Sequence, residues 1–159
     1  GIKKNDKANP KMRNQIRWEN VVYQDGNCEA IARTNGKVVA RHKIVTVGKA
    51  VALKAVADNS DWKADGMDLQ HIRIIAVDSK GRRVPNAVAE VKVNVVGDAQ
   101  LVAMSNGNIN SDELNVTDHQ SLFNGSCLAI LRSGVASSPV IVNISAPGLK
   151  AAKLKLATK

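Results

Sequence analysis

Apolar positions along this chain recur at every second residue. In "NCEAIAR", Cys28, Ala30 and Ala32 alternate with Glu29, Ile31 and Arg33. Successive side chains of an extended chain point to opposite faces, so this spacing predicts a strand. Asn35-Gly36 follows, a pair that tolerates the positive φ of a type I′ hairpin turn. The return strand, "KVVARHKIVTV", sets Val39, Arg41, Lys43 and Val45 against Val38, Ala40, His42 and Ile44. Upstream, "QIRWENVVY" places Ile16 and Trp18 on one face and then shifts phase to Val21 and Tyr23. A strand with a bulge near Glu19-Asn20 is expected there. Three strands are thus expected by Val47, too few for a stable sheet without a partner.

After Gly48 the pattern restarts. Strands are expected over Ala50 to Ala57, "LQHIRIIAVD", "EVKVNVVG", "AQLVAM", "SCLAILR", "PVIVNISA" and "AKLKLAT". In "EVKVNVVG" one face is Val91, Val93 and Val95 and the other Lys92 and Asn94, so one face should be wet. In "SCLAILR" both faces are apolar: Cys127, Ala129 and Leu131 against Leu128 and Ile130. That strand should be central, or covered by the N-terminal strands. No segment carries a capped apolar stripe of period 3.6, so almost no helix is expected. Seven or so short strands with turns between them describe an all-β, immunoglobulin-like β-sandwich. Two regions are expected: 1–47, the last strands of a truncated accessory sandwich, and 48–159, a complete immunoglobulin-like β-sandwich domain.

Composition narrows the classes. Of 159 residues 44% are apolar and 23% charged, usual for a globular domain. No apolar run approaches the roughly 20 residues of a membrane helix, so no membrane partner is expected. The first residues, "GIKKNDKANPKMRNQ", have no apolar core of a signal peptide and read as a cut inside a longer chain. The net charge of +9 is spread along the chain, with some concentration at Lys3, Lys4, Lys7, Lys11, Arg13 and Arg17. Aromatics are 3%, namely Trp18, Tyr23, Trp62 and Phe123. Four scattered rings make poor stacking platforms, so nucleic acid is not an expected partner.

Candidate chemistry is sparse. Cys28 and Cys127 each fall in an alternating apolar pattern and read as small buried hydrophobes, with no spacing that specifies a pair. His42, His71 and His119 stand apart from both cysteines, so no metal site and no cofactor is expected. The long polar stretch "SNGNINSDELNVTDHQS" contains Asp112, Glu113, Asp118, His119 and Ser121. It lacks the spacing of a calcium loop and the Gly-x-Ser-x-Gly elbow of a serine hydrolase. It reads as a solvated connection between strands, pinned by Asn106-Gly107 and Asn124-Gly125. Asp58, Asp61, Asp65 and Asp68 around "DWKADGMDL" read as turn chemistry. No catalytic residue is expected. The candidate ligand or interdomain contacts are Trp62, a single ring on a loop that could stack on a sugar, and Asn106, Asn108 and Asn124.

The order of several phrases resembles the C-terminal region of family 2 glycoside hydrolases, the β-galactosidase-like enzymes. Trp18, Tyr23, Gly26 and Gly36 to Ala40 resemble the end of an accessory sandwich. Ala64 to Gly66, Asp68-Leu69, Val77-Asp78, Gly81 and Val84-Pro85 resemble the start of a final immunoglobulin-like domain. The Asn-Gly-Asn loop, Phe-Asn-Gly and the apolar strand ending Arg-Ser complete the likeness, which runs from about Gln15 to the end. The resemblance implies a bacterial parent enzyme, periplasmic or secreted, whose (β/α)₈ barrel carries two catalytic glutamates. Nothing here matches either glutamate. The implied role is that of a non-catalytic C-terminal fragment, structural or substrate-shaping. Its partners would be other domains of the parent, and carbohydrate; an independent carbohydrate- or surface-binding module is the alternative.

Overall fold

The computed structural model describes residues 1–5, 8–11 and 15–159. Lys7 and Arg13, two of the N-terminal cations, lie outside them. The chain divides into two compact units, Gly1–Thr46 and Val47–Lys159.

In the first unit β1 (Asn27–Thr34) and β2 (Lys37–Val45) form an antiparallel hairpin, with Cys28 opposite Ile44 and Ala30 opposite His42. Asn35 and Gly36 have φ of 49° and 77°, the two positive values that a type I′ turn needs. Thr46 closes the base: its N–H donates to the Gly26 carbonyl at 2.8 Å, and its hydroxyl accepts the Gly26 N–H at 3.1 Å. The strand expected over Ile16 to Tyr23 does not form. Asn20 sits at φ 56°, which bends the segment, and among the described residues no ladder pairs with it. This unit therefore leaves large apolar groups in solvent, including Val22, Tyr23, Val39 and Ile44.

The second unit has eight strands: β3 (Ala52–Ala57), β4 (Leu69–Val77), β5 (Glu90–Val96), β6 (Ala99–Ser105), β7 (His119–Ser121), β8 (Ser126–Ser133), β9 (Pro139–Ala146) and β10 (Leu149–Ala157). They are ordered β6-β8-β4-β3-β10-β9-β5-β7. Every neighbouring pair is antiparallel except β3 and β10, which run parallel and meet at one rung, Lys150 opposite Ala52. The halves on either side of that joint face each other. Ile72, Ile74, Ala129 and Leu131 from one and Val91, Val93, Val142 and Ile144 from the other share a single buried core. This is an immunoglobulin-like β-sandwich, with no helix among the described residues.

Alternation explains the facing. Val91 and Val93 are buried while Lys92 and Asn94 are exposed. On β8, Cys127, Ala129 and Leu131 are buried, whereas Leu128 and Ile130 are half-buried on the outer face. β8 lies between β6 and β4, the central place expected of it. β3 begins at Ala52 rather than Ala50, and β7, only three residues long, was not foreseen.

Candidate functional site: the crossing between β6 and β7

Between β6 and β7 the chain leaves the edge of one sheet and arrives at the edge of the other. Asparagine side chains turn it. Asn106 Oδ1 accepts the Asn108 N–H at 2.9 Å and Asn108 Oδ1 accepts the Asn110 N–H at 3.1 Å. Such local bonds compete with ladder formation and keep the segment irregular. The crossing runs beside β6, where the Met104 N–H donates to the Asn115 carbonyl at 2.8 Å. It then meets β5, where the Val93 N–H donates to the Asp118 carbonyl at 2.8 Å.

Glu113 organises this segment. Its Oε2 accepts Gln120 Nε2 at 2.8 Å, Ser111 Oγ at 3.0 Å and Asn106 Nδ2 at 3.1 Å. Its Oε1 accepts the Ser121 N–H at 3.0 Å. Asn106 Nδ2 also reaches the Ser121 carbonyl at 2.9 Å. The Ser121 hydroxyl above all, with the Ser121 amide, Ser111 and Gln120, holds the Glu113 carboxyl below its ordinary range against the opposing effect of desolvation. Glu113 is thus a permanent anion at neutral pH, committed to its own backbone and neighbours.

Asn106 and Asn108 come together, bordering an open depression of about 200 Å³ with Ile109, Asn115 and Gln120. Asn124 does not line it. It sits at φ 50° in the turn before β8, and its carbonyl accepts Arg83 Nε at 3.0 Å and Nη2 at 2.6 Å. Trp62 overturns the stacking expectation. It is 1% exposed, belongs to the core, and donates Nε1–H to the Asp68 carbonyl at 3.0 Å. A ring covered on both faces offers a sugar nothing to stack on.

The acid and base candidates resolve into structural roles. His119 Nδ1 lies 2.9 Å from Asp118 Oδ1, which raises the imidazole's pKa and lowers the carboxyl's, and Lys92 Nζ lies 3.3 Å from Asp118 Oδ2. His119 Nδ1 is met by Thr117 Oγ1 and Asp118, and among the described residues no hydrogen bond joins it to Ser121, so no Ser-His-Asp relay is assembled from these three. Asp65 Oδ1 accepts the N–H groups of Met67 at 2.9 Å and Asp68 at 2.7 Å, and Asp68 Oδ2 accepts that of Lys63 at 2.9 Å. This is the turn chemistry expected of "DWKADGMDL". Cys28 is exposed and Cys127 buried, both as free thiols, and burial pushes Cys127 up to about 12.

The buried roles of two polar residues were not read from the sequence. Buried Asp78 accepts Arg82 Nη2 at 2.7 Å, Arg82 Nε at 2.9 Å, the Lys80 N–H at 2.9 Å and the Gly48 N–H at 3.0 Å. The Arg82 guanidinium foremost holds its carboxyl far below the usual range. An Asp ahead of a Lys-Gly turn with Arg four residues on was the available signal. Gln120, 1% exposed, had none, because it sits in an unbroken polar run.

By class this is an all-β sandwich domain whose carboxylates serve its own turns and crossings. Residues 53–155 match the family described as glycoside hydrolase family 2 C-terminal domain 5, and residues 1–40 match a domain of unknown function (DUF4982). This chain belongs to the glycoside hydrolase family 2 C-terminal domain 5 family. It is 30% identical over 159 residues to the beta-galactosidase BoGH2A of Bacteroides ovatus, covering 100% of this chain and 18% of that protein. It is 28% identical over 147 residues to a beta-glucuronidase of Formosa agariphila, 90% of this chain and 15% of that one. The crystal structure of a glycosyl hydrolase family 2 member from Bacteroides cellulosilyticus aligns with a TM-score of 0.88 at 31% identity, over 93% of this chain and 20% of that one. The chain therefore spans about a fifth or less of the length of these relatives.

Proposed function

We propose that this chain is a non-catalytic β-sandwich region of a longer, β-galactosidase-like family 2 glycosidase. Its role is structural. Residues 48–159 pack against other domains of the same polypeptide, and residues 1–47 supply the last strands of a preceding accessory sandwich. The β6–β7 crossing, with Asn106 and Asn108, and the Asn124 turn serve as contacts that shape the approach to substrate. The names of the relatives, a beta-galactosidase and a beta-glucuronidase, support a glycosidase parent.

The non-catalytic reading is supported by the geometry of Asp78 and Glu113, whose oxygens are spent on neighbouring donors. Glycoside hydrolysis needs a carboxyl kept protonated near neutral pH by an apolar or like-charged setting. Asp61, Asp65, Asp78, Glu113 and Asp118 are all displaced in the other direction, each held as an anion by nearby donors. Assays of this chain on nitrophenyl β-galactoside and β-glucuronide test it. Release of nitrophenol should equal the buffer blank. Turnover that disappears in Glu113→Gln would overturn the reading.

The depression beside Asn106 and Asn108 favours a second reading, a glycan-binding module, since amides and hydroxyls line it. Titration with galactosides and oligosaccharides, followed through the side-chain amide resonances of Asn106 and Asn108, separates the two. The scaffold reading expects no saturable shift.

A further inference from the structure

The two outer faces of the sandwich differ in chemistry. On the outer face of β10-β9-β5, ladder register places Lys153 opposite Asn143 and Asn143 opposite Asn94, with Lys92 opposite Ser145. That face is mostly polar, though Val96 and Ile141 lie in the row of Lys155, as expected of a sheet with one side largely in water. On the outer face of β3-β4-β8-β6 one row runs Val56, Arg73, Leu128, Ser105, and the next runs His71, Ile130, Ala103. A third joins Lys54, Ile75 and Ser126. Ile75, Leu128 and Ile130 therefore sit on adjacent rows of adjacent strands, and Val56 lies at the margin. None of the four packs on the buried core. Ile75, Leu128 and Ile130 are half-buried by their neighbours, and Val56 is 45% exposed. Strands apolar on both sides are the signature of a sheet covered on both sides.

We propose that this outer face is a docking surface for another folded domain of the same longer polypeptide, one that presents an apolar patch with an acidic margin. The inference rests on the scaffold reading above and names the face by which the scaffold is held. Two observations choose the occupant. In the B. cellulosilyticus structure the equivalent region makes up 20% of the chain, and in BoGH2A it makes up 18%, so in these relatives four-fifths of the polypeptide accompanies it. The face carries three cations, Lys54 and Arg132 at its margin and Arg73 between Val56 and Leu128. Of these Arg73 meets Asp58 at 3.2 Å and Arg132 is held by the neutral Gln100 at 2.8 Å, which leaves the margin positive and suits an acidic counterpart. A contiguous apolar patch bordered by charge is the usual form of such an interface.

Hydroxyl-radical labelling of side chains, read by mass spectrometry, tests this on the chain alone and on the longer polypeptide that carries it. Ile75, Leu128 and Ile130 should be labelled at least fivefold less in the longer polypeptide, while exposed Val88 and Val135 serve as references. Equal labelling overturns the proposal. Ile130→Arg and Leu128→Glu supply the variant arm. Each should leave this chain folded, with its melting midpoint lowered by a few degrees at most, because the side chains are only half-buried and point away from the core. Each should raise the rate at which protease releases the domain from the longer polypeptide. If instead this chain dimerises with concentration and Ile130→Arg abolishes the dimer, a second copy occupies the face and the proposal falls. Deleting 47–159 from the longer polypeptide separates the two levels. Lowered stability with unchanged labelling leaves the scaffold reading standing and removes only the face. Unaltered stability and protease pattern removes the scaffold reading itself.

Discussion

Gln120 Nε2 donates a 2.8 Å hydrogen bond to Oε2 of Glu113, and through it a loop carboxylate grips the middle residue of the three-residue strand β7. The same carboxylate accepts the Ser121 N–H and holds Asn106, at the far end of the crossing. The crossing is therefore fixed by charge-assisted bonds and not by burial, for Ile109, Leu114 and Val116 within it lie in solvent. Glu113→Ala strands these donors and should cost about 1–3 kcal/mol in urea melts. A loss below about 0.5 kcal/mol would show that the crossing is held by other contacts.

Acid should expose the same bonds. Glu113 and Asp78 both have carboxyls depressed below ordinary values of 4.5 and 3.8. A depressed carboxyl contributes stability that is complete above its unfolded value and is lost as pH falls through its folded one. The gap in urea midpoint between the native chain and Glu113→Gln should be constant down to about pH 5.5 and narrow below about pH 4.5. For Asp78→Asn the gap should persist to lower pH, since Arg82 depresses Asp78 further. A gap that widens toward low pH would reverse the assigned sign.

Facing across β8 sets the cost of truncation. Leu131 is fully buried and Leu131→Ala should cost about 2–5 kcal/mol. Ile130, half-buried on the outer face, should cost about 1 kcal/mol in Ile130→Ala, less than its sequence pattern implies. Lys92→Ala should change stability by about 0.5 kcal/mol or less, since its partner Asp118 is also exposed. Chemical melts of the three variants give the ranking directly.

Two glycines of the same φ sign should respond differently. Gly107 (φ 75°) faces open space, so Gly107→Ala should cost about 1 kcal/mol from the backbone alone. At Gly125 (φ 69°) a Cβ would press into the Val84 carbonyl oxygen, against backbone that Arg83 and the 76–125 hydrogen bond hold in place. Gly125→Ala should cost about 3 kcal/mol or more, strain and overlap together. Thermal melts with equal losses at both sites would argue against the close approach.

The two tryptophans should report their settings separately. Trp62 is 1% exposed and Trp18 45% exposed. Iodide should quench the red-shifted part of the emission, and Trp18→Phe should remove most of the quenchable signal. Quenching that survives in Trp18→Phe would place Trp62 nearer the surface.

The legible parts of this fold were those where one residue type settles a local choice. Period-two valines set β5, and Asn35-Gly36 set the first hairpin. The Val91/Lys92 alternation predicted burial correctly because a half-solvated strand must separate its side chains by polarity. The failures share a cause. "IRWENVVY" has the composition of a strand, but pairing needs a neighbour, and no local pattern shows whether one exists. Trp62 is flanked by Asp61 and Lys63 and looked like a loop residue, yet a tertiary contact, the bond to the Asp68 carbonyl and the core beneath, decides its place. β7 is invisible for the same reason: "HQS" becomes a strand only because β5 and Glu113 are there to receive it.

The parallel meeting of β3 and β10 has a mechanical consequence. These are the first and last strands of the sandwich, and they are joined directly through Lys150 and Ala52, with the Lys150 N–H on the Val51 carbonyl at 3.0 Å. Tension carried along the backbone from Val47 to Lys159 would pull these two parallel strands in opposite directions and so load that rung in shear, along the strands. Lys159 adds a clamp at the far end of β10, its N–H on the Trp62 carbonyl at 2.9 Å and its carbonyl on the Ala64 N–H at 2.9 Å, so rung and clamp share the load. Tension on the two ends of this unit therefore meets bonds at both ends of β10, over a core that the two sheets share.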